Sequence, residues 1–211
     1  KINMPTSLEN IQNSAFANCS SLKNLDLTKT KVAMLYINKD KPTKTYEKML
    51  TAIKQSGAKA ISAKPGSEYR FGDVEFTVLS PFNQDENLNN MSVTLKLTYG
   101  SHSFIFTGDA EKEVEKQLIE SGYDLSADVY KVAHHGSEYS NSIKYLKKVN
   151  PSYSIISVGV DNSYNHPHNK AIKNLESVGS TIYRTDKDGT VIVSSDGENI
   201  NISFKDTNLD G

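Results

Sequence analysis

The chain has 211 residues with 24 basic and 25 acidic side chains, which gives a formal net charge of −1. This length fits one α/β domain, or a smaller domain with an appendage, and suffices to bury a core. The balanced charge excludes a global field that recruits nucleic acid or anionic membranes, so any polyanion contact has to be local. A single cysteine excludes an internal disulfide bond and a cysteine-based zinc cluster. Without a run of about 18 apolar residues or a charged-then-apolar leader, the sequence predicts neither a membrane span nor a secretion signal.

Residues 4–27 have an apolar spacing that fits neither one continuous helix nor one strand. The run SAFANCSSL within them resembles one unit of the BspA-like leucine-rich repeats, whose core pattern is small-Ala-Phe-x-x-Cys-x-Ser-Leu. A single repeat cannot bury its own apolar face, so the resemblance implies further repeats upstream. It also favours a cell-surface or extracellular location, which the sequence otherwise leaves unknown. The alternative is a chance match in an irregular segment.

From residue 31 onward, strand-like and helix-like patterns alternate, which predicts mixed sheets covered by helices. The second long strand run turns back at Tyr99, Gly100 and Ser101 like a tight hairpin. The predicted elements are, in chain order, a strand at 32–37, a helix at 43–56, strands within 72–81 and 91–109, a helix at 111–122, a strand at 128–133, a helix at 140–149, a strand at 152–159, a helix at 169–178, a strand at 181–186 and a terminal hairpin at 188–205.

Polar side chains follow three of these strands, at the carboxyl ends where functional groups collect in α/β sheets. Asp109 follows one strand, His134 and His135 follow the next, and His166 and His168 follow the third. Carboxylate and imidazole together suit zinc, manganese or iron(II). Such a site lowers the pKa of a bound water toward about 7, so the sequence predicts hydrolysis as the reaction class.

Each cluster also has a purely structural interpretation. Asp109 can serve as the N-cap of the following helix, and a lone His-His pair is more often polar loop than ligand. The loop 161–170 is rich in turn-forming residues, and His168 or Asn169 can cap the next helix. His102, in the hairpin turn, is interpreted as solvated surface.

Five segments, taken in chain order, carry a family resemblance: VTLKLTYGSHSFIFTGD, LSADVYKVAHHGS, NPSYSIISVG, DNSYNHPH and TIYRTDKDGTVIV. Together they resemble the metallo-β-lactamase-fold domain of the ComEC competence family and its stand-alone relatives. The resemblance covers about residues 31 to 204. It implies an α/β fold of the αββα sandwich type with a dinuclear centre of divalent metal, zinc or manganese. The implied activity is hydrolysis of phosphodiesters, including a DNA strand during uptake.

The resemblance also implies roles for individual residues. Asp109 and His135 correspond to metal ligands, with Asp109 as the bridging carboxylate. His134 and His166 correspond to catalytic groups, with His134 facing substrate or metal and His166 either behind the ligands or in contact with substrate. The groups expected to contact substrate are Ser137, Asn162, Tyr164 and His168. The family often has glycine at the position of Asn165.

The primary ligand motif of the superfamily, HxHxDH, is absent from this sequence, in which all five histidines lie at or beyond residue 102. We therefore expect an N-terminally incomplete metallo-β-lactamase-fold domain at 31–211, preceded by a partial repeat unit at 1–30. Two protein ligands are fewer than the three typical of catalytic zinc, which predicts weak metal binding and impaired activity. Upstream repeats or a second chain are expected to cover the exposed sheet. The alternative is a non-catalytic, repeat-containing binding protein built on a degenerate form of this fold.

Overall fold

The computed structural model describes residues 32–35, 44–56 and 59–205. The repeat-like segment at 4–27 and the domain boundary at residue 30 lie outside these residues, so both stay predictions. Within the described part, none of the helices combines the length and the apolar character that crossing a membrane requires.

The described residues form eleven strands and five α-helices. The strands are β1 (Val32–Leu35), β2 (Lys59–Ser62), β3 (Glu68–Phe71), β4 (Val74–Val78), β5 (Leu95–Tyr99), β6 (His102–Phe106), β7 (Val129–Lys131), β8 (Tyr153–Ile156), β9 (Thr181–Arg184), β10 (Thr190–Ser195) and β11 (Ile200–Lys205). The helices are α1 (Lys44–Ser56), α2 (Lys112–Glu120), α3 (Ile143–Val149), α4 (Asn169–Ser177) and α5 (Thr185–Asp188), with 3-10 turns at Leu88–Met91 and Ala133–Gly136.

A seven-stranded mixed sheet in the order β3-β4-β5-β6-β7-β8-β9 is the largest unit. Strands β3 to β6 are antiparallel, while β6 to β9 are parallel neighbours. Parallel neighbours require crossover connections, and helices α2, α3 and α4 provide them here. The carboxyl ends of β6, β7 and β8 therefore meet at one edge of the sheet. Two small sheets, β1-β2 and β10-β11, complete the described fold.

The main core lies between the sheet and helices α2, α3 and α4. Alternate residues of each strand point to this face, as the two-residue period of a strand requires. Ile105 and Tyr130 contribute from β6 and β7, and Leu118 and Leu146 contribute from α2 and α3, all at 0% exposure. Full burial of one such aliphatic side chain stabilises the fold by roughly 1.5–3 kcal/mol, so this contact holds the helices on the sheet.

The opposite face of the sheet carries a smaller core, formed by Ala63, Val78, Val93 and Leu95. Phe106, which pairs with Leu95 on this face, is 40% exposed. A partner that covers this face, either upstream repeats or a second chain, stays a prediction.

The hairpin of β10 and β11 contacts the turn between β5 and β6. Ser101 N donates to Gly197 O at 2.8 Å, and the Ser101 hydroxyl donates to the same oxygen at 2.9 Å. Gly100 has a φ of +58°, and a Cβ atom at this position would collide with the backbone of Gly197. Glycine is therefore required at position 100 for the hairpin to approach this closely.

The predicted fold class, strands alternating with helices that cover a mixed sheet, is confirmed. The sequence prediction missed β2 and β3, each only four residues long. It also misplaced His102, which opens strand β6, is only partly exposed and has its Nδ1 atom 2.8 Å from the Ser195 hydroxyl. The interpretation of His102 as solvated surface is therefore wrong, because the terminal hairpin packs against it.

Candidate functional site

Asp109 lies in the loop that leaves strand β6. Its backbone N–H donates to the Ser92 hydroxyl at 3.0 Å, which ties the loop to the segment that leads into strand β5. The N-cap position of α2 is occupied by Glu111 rather than Asp109. The Asp109 carboxylate is thus not a helix cap and remains directed at the sheet edge, where its side chain is 21% exposed.

The His134-His135-Gly136 turn leaves strand β7 in an unusual backbone conformation. All three residues have positive φ, at +48°, +54° and +81°. The left-handed region costs a non-glycine residue roughly 1–2 kcal/mol, so two adjacent histidines there need support from the rest of the structure. Part of this support is a hydrogen bond from His134 N to Gly108 O at 3.0 Å, which joins the turn to the Asp109 loop.

Buried polar groups beneath the turn provide the remaining support. The Tyr130 hydroxyl accepts from Ala133 N at 3.0 Å and donates to Asn141 Oδ1 at 2.7 Å. The Asn141 amide group in turn donates to Ala133 O at 3.1 Å. The Glu115 carboxylate accepts the backbone N–H groups of Asn141 and Ser142, and burial raises the pKa of this carboxyl. The shape of the turn is therefore set by groups inside the core.

His135 and Asp109 face each other with two acceptor atoms. His135 Nδ1 lies 2.6 Å from Ser157 O, and because a carbonyl can only accept, Nδ1 carries the hydrogen. In the neutral ring, Nε2 then holds a lone pair, and this buried atom has no hydrogen-bond partner. It lies 3.6 Å from Asp109 Oδ1, which is too long for a hydrogen bond. A lone pair and a carboxylate oxygen at this separation are stable only with a positive charge between them, either a proton or a metal ion.

His134 forms a second imidazole–carboxylate pair, with Glu111. Its Nδ1 atom is buried without a hydrogen-bond partner and lies 3.6 Å from Glu111 Oε1. The Glu111 carboxylate also accepts from the side-chain amides of Asn89 at 2.8 Å and Asn87 at 3.0 Å. The site thus contains two parallel carboxylate–imidazole pairs.

His166 closes the third side of the site. Its ring packs edge-on against His134, with centroids 5.6 Å apart, and stacks on Tyr164 at 5.7 Å. Burial, followed by the neighbouring histidines His168, His134 and His135 in that order, lowers the pKa of His166 to about 4, against an opposing effect of Asp109. His166 is therefore neutral at pH 7.

His168 lies beside His166 on the same side of the site. Its Nδ1 atom accepts the backbone N–H of Glu138 at 3.1 Å, so its Nε2 carries the hydrogen in the neutral ring. His168 occupies the N-cap position of α4, yet its side chain makes no capping hydrogen bond. His168 thus holds the predicted N-cap position, but through its backbone carbonyl and not through its side chain.

The remaining predicted site residues differ in their accessibility. Tyr164 is 73% exposed at the rim of the site. Ser137 is 1% exposed and its hydroxyl accepts from Tyr139 N at 3.3 Å. Asn162 binds both the N–H and the C=O of His166 with its side chain, at 2.9 and 2.7 Å, and so shapes the loop. The substrate-binding roles of these residues stay predictions.

At position 165, where the sequence resemblance implies a glycine, this chain has asparagine. Asn165 has a φ of +56°, and asparagine adopts this region more readily than most residues. The substitution is thus compatible with the loop conformation.

Sequence reasoning missed Glu111, Asn87, Asn89 and Ser92. These residues lie on the loop before β5 and at the start of α2, and they meet only in the folded chain. The signal that could have identified them is the run DENLNNMS at 85–92, shortly before strand β5, together with a glutamate two residues after Asp109. Among the described residues, no group of three or more His, Cys, Asp or Glu side chains has a geometry ready to hold a metal ion.

Two named bacterial proteins are similar to this chain in sequence. The chain is 38% identical to ComE operon protein 3 of Bacillus subtilis over 146 residues, which cover 69% of this chain and 19% of that protein. It is 30% identical to competence protein ComA of Neisseria gonorrhoeae over 126 residues, which cover 58% of this chain and 18% of that protein. The match thus spans about a fifth of the length of these relatives. No family model matches the sequence.

Solved structures show the same architecture. The diiron β-hydroxylase CmlA from Streptomyces venezuelae superposes with a TM-score of 0.54 and 11% identity, covering 86% of this chain and 44% of that one. The metallo-β-lactamase-fold protein YhfI from Bacillus subtilis superposes with a TM-score of 0.49 and 12% identity, covering 86% and 85%. The chain has the metallo-β-lactamase fold. Within this metallo-β-lactamase fold, the paired carboxylates and imidazoles lie where the parallel strands end.

Proposed function

We propose that this chain carries part of the site of a metal-dependent phosphodiester hydrolase, with Asp109 and His135 as metal ligands. The observation that carries the proposal is the His135 Nε2 lone pair, buried without a partner 3.6 Å from Asp109 Oδ1. A divalent ion satisfies both atoms at once, and imidazole nitrogen with carboxylate oxygen is a ligand set that zinc and manganese accept. The residues present therefore fit such an ion.

The surrounding residues are suited to a phosphodiester. The chemistry supplied by a bound divalent ion is polarisation of a phosphoryl oxygen and acidification of a water molecule. His168, with its hydrogen on Nε2, can donate a hydrogen bond to a phosphoryl oxygen. His166, neutral at pH 7, can accept a proton from an attacking water or orient that water. Tyr164 presents an exposed ring at the rim, suited to stacking on a base.

DNA is the phosphodiester that we propose as substrate. One of the two sequence relatives is named as a competence protein, which supports DNA rather than a small phosphodiester. Because the chain carries two of the expected ligands and no HxHxDH motif, we propose that its own metal affinity and activity are low.

The test is calorimetric titration of the full chain with Mn²⁺ and Zn²⁺, together with hydrolysis of a labelled single-stranded DNA. We expect weak binding that Asp109→Asn and His135→Gln each reduce at least tenfold, because each removes one ligand. Matched controls are Asp73→Asn, an exposed carboxylate in the β3-β4 turn, and His102→Gln, an imidazole bonded outside the site. Equal affinities in the ligand variants and the controls would refute the proposed ligand pair.

A further inference from the structure

Glu111 occupies a position where a carboxylate would ordinarily cap a helix, but its side chain makes no capping bond to α2. Carboxylates near a helix N-terminus are favoured because they accept free backbone N–H groups. Here the Glu111 carboxylate is turned away from the helix and toward His134. A second interaction therefore determines its orientation.

That orientation is held by two amides from the loop before β5. Asn89 Nδ2 donates to Glu111 Oε1 at 2.8 Å and Asn87 Nδ2 donates to Glu111 Oε2 at 3.0 Å. Asn87 itself is fixed, since its Oδ1 accepts from Asn89 N at 3.1 Å and its N–H donates to Asp85 Oδ1 at 2.8 Å. The two hydrogen bonds fix both oxygens of the Glu111 carboxylate in place. The loop thus presents a fixed negative charge to the buried Nδ1 of His134.

A buried imidazole nitrogen beside an ionised carboxylate is stable as N–H and unfavourable as a lone pair. His134 Nδ1 lies 3.6 Å from Glu111 Oε1, so a small closure makes a hydrogen bond if Nδ1 carries the hydrogen. A partner on one ring nitrogen fixes which nitrogen stays free for a metal or substrate. A neutral histidine ring without such a partner prefers its hydrogen on Nε2. The effect of Glu111 is therefore a change of tautomer, from Nε2–H to Nδ1–H, which can be measured.

We propose that Glu111, held by Asn87 and Asn89, is a positioning residue that keeps the hydrogen of His134 on Nδ1 and leaves the Nε2 lone pair for the reaction. This inference rests on the proposed hydrolase function for its purpose, because the free Nε2 matters only to a ligand or substrate. The tautomer itself can be measured in the metal-free chain without any activity.

The experiment is a long-range proton–nitrogen NMR correlation on the histidine-labelled, chelator-treated full chain, with His134 assigned by His134→Gln. We expect the hydrogen of His134 on Nδ1 in the wild type. In Glu111→Ala the Nδ1–H form should fall severalfold, whereas Glu113→Ala, an exposed carboxylate of the first turn of α2, should leave it unchanged. The loss of Glu111 should not unfold α2, because its side chain makes no capping bond there.

A wild-type His134 with its hydrogen on Nε2 overturns the proposal, and this result does not depend on any variant folding. An unchanged tautomer in a folded Glu111→Ala protein overturns it as well. The outcome is separable from the proposed function, because absent metal binding and absent DNA cleavage would sink the hydrolase while leaving the measured tautomer intact.

Discussion

Tyr130 and Tyr145 form a matched pair that tests how the His134-His135 turn is supported. Both side chains are 0% exposed, and their rings pack edge-to-face with centroids 6.0 Å apart. The Tyr130 hydroxyl joins Ala133 N and Asn141 Oδ1, whereas the Tyr145 hydroxyl has no hydrogen-bond partner. Replacing each by phenylalanine removes one buried oxygen and leaves the aromatic packing in place.

The two substitutions should therefore change the free energy of unfolding by different amounts or in opposite directions. Tyr130→Phe leaves the buried N–H of Ala133 and the buried side-chain oxygen of Asn141 unpaired, at about 1–3 kcal/mol each. We therefore expect the free energy of unfolding to fall by roughly 2–4 kcal/mol after partial relaxation. Tyr145→Phe removes a hydroxyl that is itself unsatisfied, so we expect a change within about 1 kcal/mol, in the stabilising direction.

Urea unfolding followed by circular dichroism measures both changes, with the slope against denaturant expected to be the same in the two variants. Equal losses in Tyr130→Phe and Tyr145→Phe would refute the reasoning, because the loss would then come from the rings and not from the hydrogen bonds. A loss confined to Tyr145→Phe would contradict it as well.

Two further predictions concern the same region. Gly136→Ala places a methyl group 2.5 Å from Pro167 Cβ at a φ of +81°, so backbone strain and overpacking should together destabilise the fold by roughly 2–4 kcal/mol. Gly179→Ala, at a φ of +79° with open space around it, should show only the backbone part, about 1–2 kcal/mol in the same urea assay. Burial raises the pKa of Glu115 above 4.5, so the folded state holds this proton more tightly than the unfolded state. Stability should therefore fall as the pH rises from 4.5 through the raised pKa, and Glu115→Gln should flatten that part of the urea-midpoint profile. A profile that is identical in the wild type and the variant would contradict this assignment.

The convergence of Asp109, His134, His135, His166 and His168 could be predicted from the sequence. Apolar strand patterns alternate with amphipathic helices from residue 91 onward, and this order produces parallel strands with their carboxyl ends at one edge. A polar residue that follows such a strand is thereby placed near its counterparts. Chain order alone was enough for this part of the site.

The partners of these residues could not be predicted in the same way. Glu111 contacts Asn87 and Asn89 where a loop meets the start of a helix. Neither the loop nor the helix start has a periodic sequence pattern from which this contact could be predicted. The left-handed backbone of His134 and His135 is likewise invisible locally, since it depends on Tyr130 and on other buried groups. The sequence prediction missed strand β3 because the charged residues Glu68 and Arg70 occupy half of its four positions. The local sequence pattern thus located the proposed site residues, and only tertiary contacts in the folded chain orient them.

Gly136 and Pro167 touch so closely that there is no room for a methyl group between them. The backbone bond from His168 N to Gly136 O, at 2.9 Å, fastens the same two segments. The turn after β7 and the loop after β8 are therefore expected to move together as one rigid unit. A ligand that displaces His168 is therefore expected to move His135 away from Asp109 as well, which would couple ligand binding to the separation of the two proposed metal ligands.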